Sequence, residues 1–167
     1  MTMPLDGIRV IDLTMVWAGP FGARMLGDYG AEVIKIESPR QWDMLRSLGL
    51  IPRDEHHWYN KSAYFNHNNR DKFAAALDLS DTRGRDVFTT TPIGKATDGR
   101  DVFLKLCAVS DVVVENFRSD VMDNLGLTYE AVSAANPGII YVSMPGHGKT
   151  GPEKDFVAYG SNVEQLA

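Results

Sequence analysis

Residues 4–37 read PLDGIRVIDLTMVWAGPFGARMLGDYGAEVIKIE, a succession of strand, tight turn, helix and strand. Gly7–Leu13 alternates and is rich in β-branched and aliphatic side chains, as a strand requires. Thr14-Met15-Val16-Trp17-Ala18-Gly19-Pro20 is a turn of small residues with a proline where a helix can begin. Phe21–Tyr29 carries Met25 and Leu26 on one apolar face, and Gly30 is placed to end it. Val33-Ile34-Lys35-Ile36 is the next strand. Two strands joined by one short helix make a βαβ unit, so the strands run parallel. The turn after the first strand then opens at the carboxyl edge of the sheet, where open α/β folds bind ligands.

The same grammar continues. Ser38–Lys61 is a long polar excursion with Trp42, Trp58 and Tyr59 and a short helix around Asp43–Leu48. Tyr64–Lys72 reads as a polar turn, and Ala74–Leu79 as a short strand. Thr82–Phe88 starts a helix with Ser80 or Asp81 as its cap. Gly84-Arg85-Asp86-Val87-Phe88 then recurs as Gly99-Arg100-Asp101-Val102-Phe103. Pro92 and Gly94 between the copies mark a short duplication or insertion around 89–98, after which the helix restarts and ends near Ala108. Asp111–Glu115 is a buried-type strand, Val121–Leu125 and Tyr129–Ala135 are short helices, and Gly138–Ser143 is another strand. Val157–Ala167 begins a further helical pattern. Strands alternating with helices predict an α/β fold with a mostly parallel sheet and flanking helices.

Composition bounds the function. The chain has 167 residues, which suits one domain, with 44% hydrophobic residues to build a core. A net charge of −5 and the lack of a basic stripe argue against nucleic acid as a partner. Cys107 is the sole cysteine, which excludes an intramolecular disulfide and a cysteine-rich metal site. No stretch reaches transmembrane length and the N-terminus lacks a basic-then-apolar leader, so the expectation is a cytoplasmic protein away from membranes.

Four candidate chemistries meet obstacles. A dinucleotide site would use Glu37 for a ribose hydroxyl, but TMVWAGP lacks GxGxxG and puts Trp17 where a pyrophosphate must approach. Ser143–Thr150 ends in GKT like a phosphate loop, yet Ser143 replaces the first glycine and Gly151-Pro152 is poor helix initiation. His56, His57 and His67 near Asp54 and Glu55 have no metal-ligand spacing. There is no GxSxG elbow, and Cys107 falls on the apolar side of a helix. What remains is a ligand-binding layer without an identifiable catalytic group. The loops Val16–Pro20 and Asn116-Phe117, both at carboxyl ends of strands, line one crevice in this reading. Core packing fits Phe117 and a helix cap fits Asn116 as well as ligand contact does.

PLDGIRVIDLT, AGPFGARMLGDYGAEVIKIE, NRDKFAAALDL and SDVVVENFRSDVMDNLGLTYEAVSAANPGIIYVSMPGHGKTGP, in that order, resemble the N-terminal part of the family III (CaiB/BaiF) CoA-transferases. That group includes formyl-CoA transferase, the carnitine CoA-transferases and α-methylacyl-CoA racemase. The resemblance implies a Rossmann-like domain plus a small domain, an interlocked homodimer, and transfer of CoA from an acyl-CoA thioester to a free carboxylic acid. It implies coenzyme A or acyl-CoA as substrate and no permanently bound cofactor or metal. By the same resemblance, Met15, Val16, Trp17 and Ala18 meet the thioester region. Asp71, Lys72, Ala76 and Leu77 lie near the nucleotide or pantetheine, and Asn116 and Phe117 line the pantetheine channel. Arg46, Arg70 and Lys72 are the candidate cations for CoA phosphates.

The departures carry information. Met15 and Trp17 stand where formyl-CoA-type transferases have His and Gln, which implies a different acyl group. Phe73 replaces an arginine, so one phosphate contact is missing. Ala158-Tyr159-Gly160 replaces the racemases' GHD, which disfavours racemisation, and Gly160 also replaces the Glu of formyl-CoA-type enzymes. The family's nucleophilic Asp lies downstream of this region. The expectation is therefore a CoA-binding N-terminal portion that lacks the small domain and a catalytic residue, with a non-catalytic CoA-binding or assembly module as the alternative and a phosphate-loop nucleotide binder as a third reading.

Overall fold

The computed structural model describes residues 2–49, 52–54, 56–80, 98–160 and 165. β1 (Arg9–Asp12) is the middle strand of their sheet, because Val10 and Ile11 face opposite ways and each meets an apolar layer. β2 (Glu32–Glu37) and β3 (Lys72–Ala76) lie on one side of it, and β4 (Val112–Glu115) and β5 (Ile140–Ser143) on the other, in the order β3-β2-β1-β4-β5. All four pairings are parallel, with Ile11 opposite both Ile34 and Val113. The chain runs outward from β1 to β3, then returns to lay β4 beside β1. That reversal leaves a crevice at the carboxyl ends of β1 and β4, where ligands bind in open α/β sheets.

Helices cover both faces. α1 (Ala18–Asp28) packs over Val10, Val33 and Val114 through Ala23 and Leu26. α3 (Gly99–Cys107) and α5 (Tyr129–Ala135) cover the other face, where Phe103, Cys107 and Val132 meet Ile11 and Val113. α4 (Val121–Asn124) adds Met122 to the same layer. Asp98 caps α3 by accepting from Asp101 N, and Thr128 caps α5 by accepting from Ala131 N. Gly30, at φ +102°, ends α1 as its position suggests.

Several local expectations change. α1 starts at Ala18, not Phe21, because Pro20 sits in the first turn, where a missing N–H leaves no bond unmade. Residues 64–72 are not a turn: Ala63–Asn69 forms α2, with Ser62 as N-cap accepting from Phe65 N. The third strand is Lys72–Ala76, not Ala74–Leu79, since pairing with β2 begins at Val33 opposite Lys72. The helix around Asp43 is a single 3₁₀ turn, Met44–Ser47, capped by Asp43. Residues 151–159 are turn and coil, so the GKT stretch lacks the helix that a phosphate loop needs. The helix expected over Thr82–Phe88, the first GRDVF copy, nearly all of the 89–98 segment and most of the 157–167 helical pattern lie outside the described residues.

Candidate functional site

At the carboxyl end of β1 the chain makes an unusual turn. Val16 has φ +71°, a left-handed conformation that costs an L-residue about 1–2 kcal/mol, and more crowding when the side chain is β-branched. Such strain persists only where neighbours over-determine it, and each peptide here is tied by a separate side chain. Asp12 accepts from both the backbone N and the hydroxyl of Thr14. Lys35 Nζ donates to Thr14 O at 2.6 Å. Asn116 grips Met15 twice, its Nδ2 donating to Met15 O and its Oδ1 accepting from Met15 N, both at 2.8 Å. Asp43 accepts from Val16 N at 3.1 Å.

Those anchors are themselves buried and paired, as ions taken out of water must be. Asp12, Asp43 and Lys35 are 0%, 0% and 3% exposed. Lys72 lies beneath α1, its Nζ donating to Asp12 at 2.7 Å and to Pro20 O and Asn69 Oδ1 at 2.9 Å. Lys35 pairs with Asp43 at 3.8 Å. Burial pushes the Asp43 carboxyl up, partly offset by hydrogen bonds from Leu45 and Val16 and by the charge of Lys35. Burial likewise pushes the Lys72 ammonium down, against the pull of Asp12. Beyond Asp43 the network continues: Glu37 accepts from Asp43 N and forms a two-point ion pair with Arg46, which also donates to Asn60 and stacks on Phe65.

The clamped loop feeds α1, whose first-turn N–H groups at Ala18 and Gly19 have no acceptor within the helix and no side-chain cap from Trp17. A helix start of this kind carries a partial positive charge. Trp17 stands about half exposed beside it, edge-on to Tyr64 with ring centroids 5.4 Å apart.

The residues singled out in the sequence fall into three sets. Met15, Val16, Trp17, Ala18, Asn116 and Phe117 do come together, at the β1/β4 crevice, with Phe117 packed against the core under β4. Arg46 is linked to them through Glu37 and Asp43, and its guanidinium is engaged by protein groups. Ala76 ends β3 at the same edge of the sheet and Leu77 follows it, inside the core. Asp71 precedes β3 at the opposite, amino edge, and the Lys72 ammonium is spent within the fold. Arg70 pairs with Asp28 on the surface. Glu37, the residue weighed for a ribose, is taken by Arg46, and Asn116 clamps a loop instead of capping a helix.

Asp12, Thr14, Lys35 and Asp43 were missed. For Asp12 and Lys35 the signal was a charge placed within a central strand, RVID and EVIKIE, where it must find a partner; Thr14 and Asp43 carried no such signal. Among the described residues no group of three or more His, Cys, Asp or Glu side chains could hold a metal, and no helix is long and apolar enough to cross a membrane.

The family model described as CoA-transferase family III matches residues 5–90 and 95–167. The chain belongs to CoA-transferase family III. It is 39% identical over 164 residues to an acetyl-CoA:oxalate CoA-transferase of Acetobacter aceti, covering 98% of this chain and 37% of that protein. A succinate–glutarate CoA-transferase of Agrobacterium fabrum is 38% identical over 165 residues, again 98% of this chain and 38% of the relative. Among solved structures, a CaiB/BaiF family protein from Brucella suis superposes with a TM-score of 0.80 at 34% identity, over 99% of this chain and 39% of that one. A Mycobacterium tuberculosis protein gives a TM-score of 0.75 at 31% identity, over 95% and 37%. This family III chain thus spans well under half the length of the relatives it matches.

Proposed function

We propose that this chain is the CoA-binding N-terminal portion of an enzyme that moves CoA between an acyl-CoA thioester and a free carboxylic acid through an enzyme carboxylate. The observation that carries the reading is the strained, four-point-clamped turn at Val16, set at the β1/β4 switch point and leading into an uncapped helix start. Strain maintained at such cost is a mark of a functional loop. In this reading Met15–Ala18 meets the thioester and its acyl group, and the N–H groups opening α1 favour charge developing on the carbonyl oxygen.

The reaction is a covalent relay. A carboxylate oxygen attacks the thioester carbonyl, CoA leaves as thiolate, and a mixed anhydride forms. The thiolate then attacks the enzyme's own carbonyl carbon, which frees the donor acid and leaves an enzyme–CoA thioester. The acceptor carboxylate attacks that thioester to give a second anhydride, and the returning thiolate takes its acyl group. The nucleophile is an aspartate downstream of residue 167. The whole protein is an interlocked homodimer working in the cytoplasm, and the 89–98 segment is a local insertion, which the family match supports by omitting 91–94.

The test is acyl exchange. The 167-residue chain binds acetyl-CoA but does not exchange its acyl group with added oxalate, succinate or glutarate. A chain extended to the length of its relatives exchanges with at least one acid. Measurable transfer by the 167-residue chain contradicts a downstream nucleophile.

A further inference from the structure

The Ser38–Lys61 excursion and the loop after β1 are joined through one buried side chain. Asp43 lies within the excursion, is 0% exposed, and directs its carboxylate at Val16 N, accepting at 3.1 and 3.2 Å. The same carboxylate faces Lys35, whose ammonium holds Thr14 O. Its backbone N–H is fixed in turn by Glu37, which Arg46 locks from the other side. Asp43 also caps the 3₁₀ turn through Leu45 N. A cap of that kind needs no second buried ion, because an exposed Ser, Asn or Asp serves equally well. The additional carboxylate reach to Val16, with a buried lysine to balance it, is an expense that capping does not explain.

We propose that Asp43 is a positioning residue for the thioester end of CoA: it holds Val16 in its left-handed conformation and so sets how Met15, Trp17 and Ala18 face the acyl group. This rests on the reading that the first loop meets the thioester. Asp43 itself touches no substrate. It acts through the Val16 amide, while Lys35 carries the same restraint to the preceding peptide. Glycine adopts φ +71° without a Cβ penalty, so a glycine at position 16 needs the Asp43 bond less.

Calorimetry with two probes separates the two ends of the ligand: acetyl-CoA, and adenosine 3′,5′-bisphosphate, which has the nucleotide end alone. Asp43→Ser retains the cap to Leu45 N but is too short to reach Val16 N. It weakens acetyl-CoA binding at least fivefold and leaves bisphosphate affinity within twofold of wild type. In a Val16→Gly background the same change weakens acetyl-CoA less than twofold, as expected for residues acting through one bond. Asp43→Asn, whose Oδ1 still accepts from Val16 N, loses less acetyl-CoA affinity than Asp43→Ser, and Asp43→Thr, an equivalent cap, gives the Asp43→Ser pattern if Asp43→Ser fails to fold. Equal loss for both probes, or an unchanged acetyl-CoA affinity, overturns the proposal. If the wild-type chain binds acetyl-CoA no more tightly than the bisphosphate, the loop does not meet the thioester, and the functional reading fails together with this inference.

Discussion

Asn116 holds Met15 by both of its backbone groups, across 101 positions of sequence, with two 2.8 Å hydrogen bonds. This joins the ends of β1 and β4 and closes the floor of the crevice. Asn116→Ala removes both bonds and leaves a part-buried N–H and C=O without partners. An unmet buried group costs about 1–3 kcal/mol, so the variant unfolds at lower urea with an unchanged slope. It also binds acetyl-CoA more weakly.

Lys72 and Asp12 form a buried ion pair at 2.7 Å, with side chains 1% and 0% exposed. Breaking such a pair from one side typically costs about 3–5 kcal/mol, whereas replacing both partners costs far less. Lys72→Met is therefore severely destabilising in chemical denaturation, and Lys72→Met with Asp12→Asn, which keeps the Oδ1 acceptor for Thr14, recovers part of the loss. Equal destabilisation by the single and double variants contradicts this account of the pair.

Much of the fold was legible in the sequence because β1, β2, β4 and β5 carry their own apolar runs and α1 opens on a proline and closes at a glycine. α2 was not. Its only strongly buried apolar side chain is Phe65, and its polar residues bond inward: Asn68 donates to Tyr64 O and Asn69 to Phe65 O. Three asparagines in a row of polar residues read as a turn when those partners are unseen. The crevice was legible as a place, from strand ends, and Met15–Ala18 with Asn116 do meet there. The restraints on it were not, since Asp12, Lys35, Asp43 and Asn116 come from four separate segments and only the folded chain brings them to one loop.

Gly19 lies so close to Thr14 that an added Cβ would run into the Thr14 Cβ. Thr14 is held by Asp12 and Lys35 and cannot give way. Gly19→Ala costs about 1–3 kcal/mol by overpacking and shifts the loop. Gly22→Ala, where nothing lies within 4 Å, is the control and costs nothing. Thermal denaturation of the two side by side checks this.

Cys107 is fully buried in the core under α3, and burial pushes its thiol up to about 12. The folded thiol therefore stays protonated where an unfolded one ionises. The native chain does not react with a thiol-specific disulfide reagent at pH 8, and reacts stoichiometrically in denaturant. With the folded pKa raised, this group's contribution to stability is complete below the ordinary thiol range and is lost progressively as pH rises from there toward 12.

The central claim is that the turn at Val16 and the start of α1 receive the thioester. Hydrogen exchange at the amides of residues 15–19, with and without saturating acetyl-CoA, tests it most directly. Met15 and Val16 are already bonded to Asn116 and Asp43, so the account predicts new protection at Trp17, Ala18 and Gly19, smaller with adenosine 3′,5′-bisphosphate alone. Acetyl-CoA binding that protects other segments and leaves 17–19 exchanging at the free rate contradicts it.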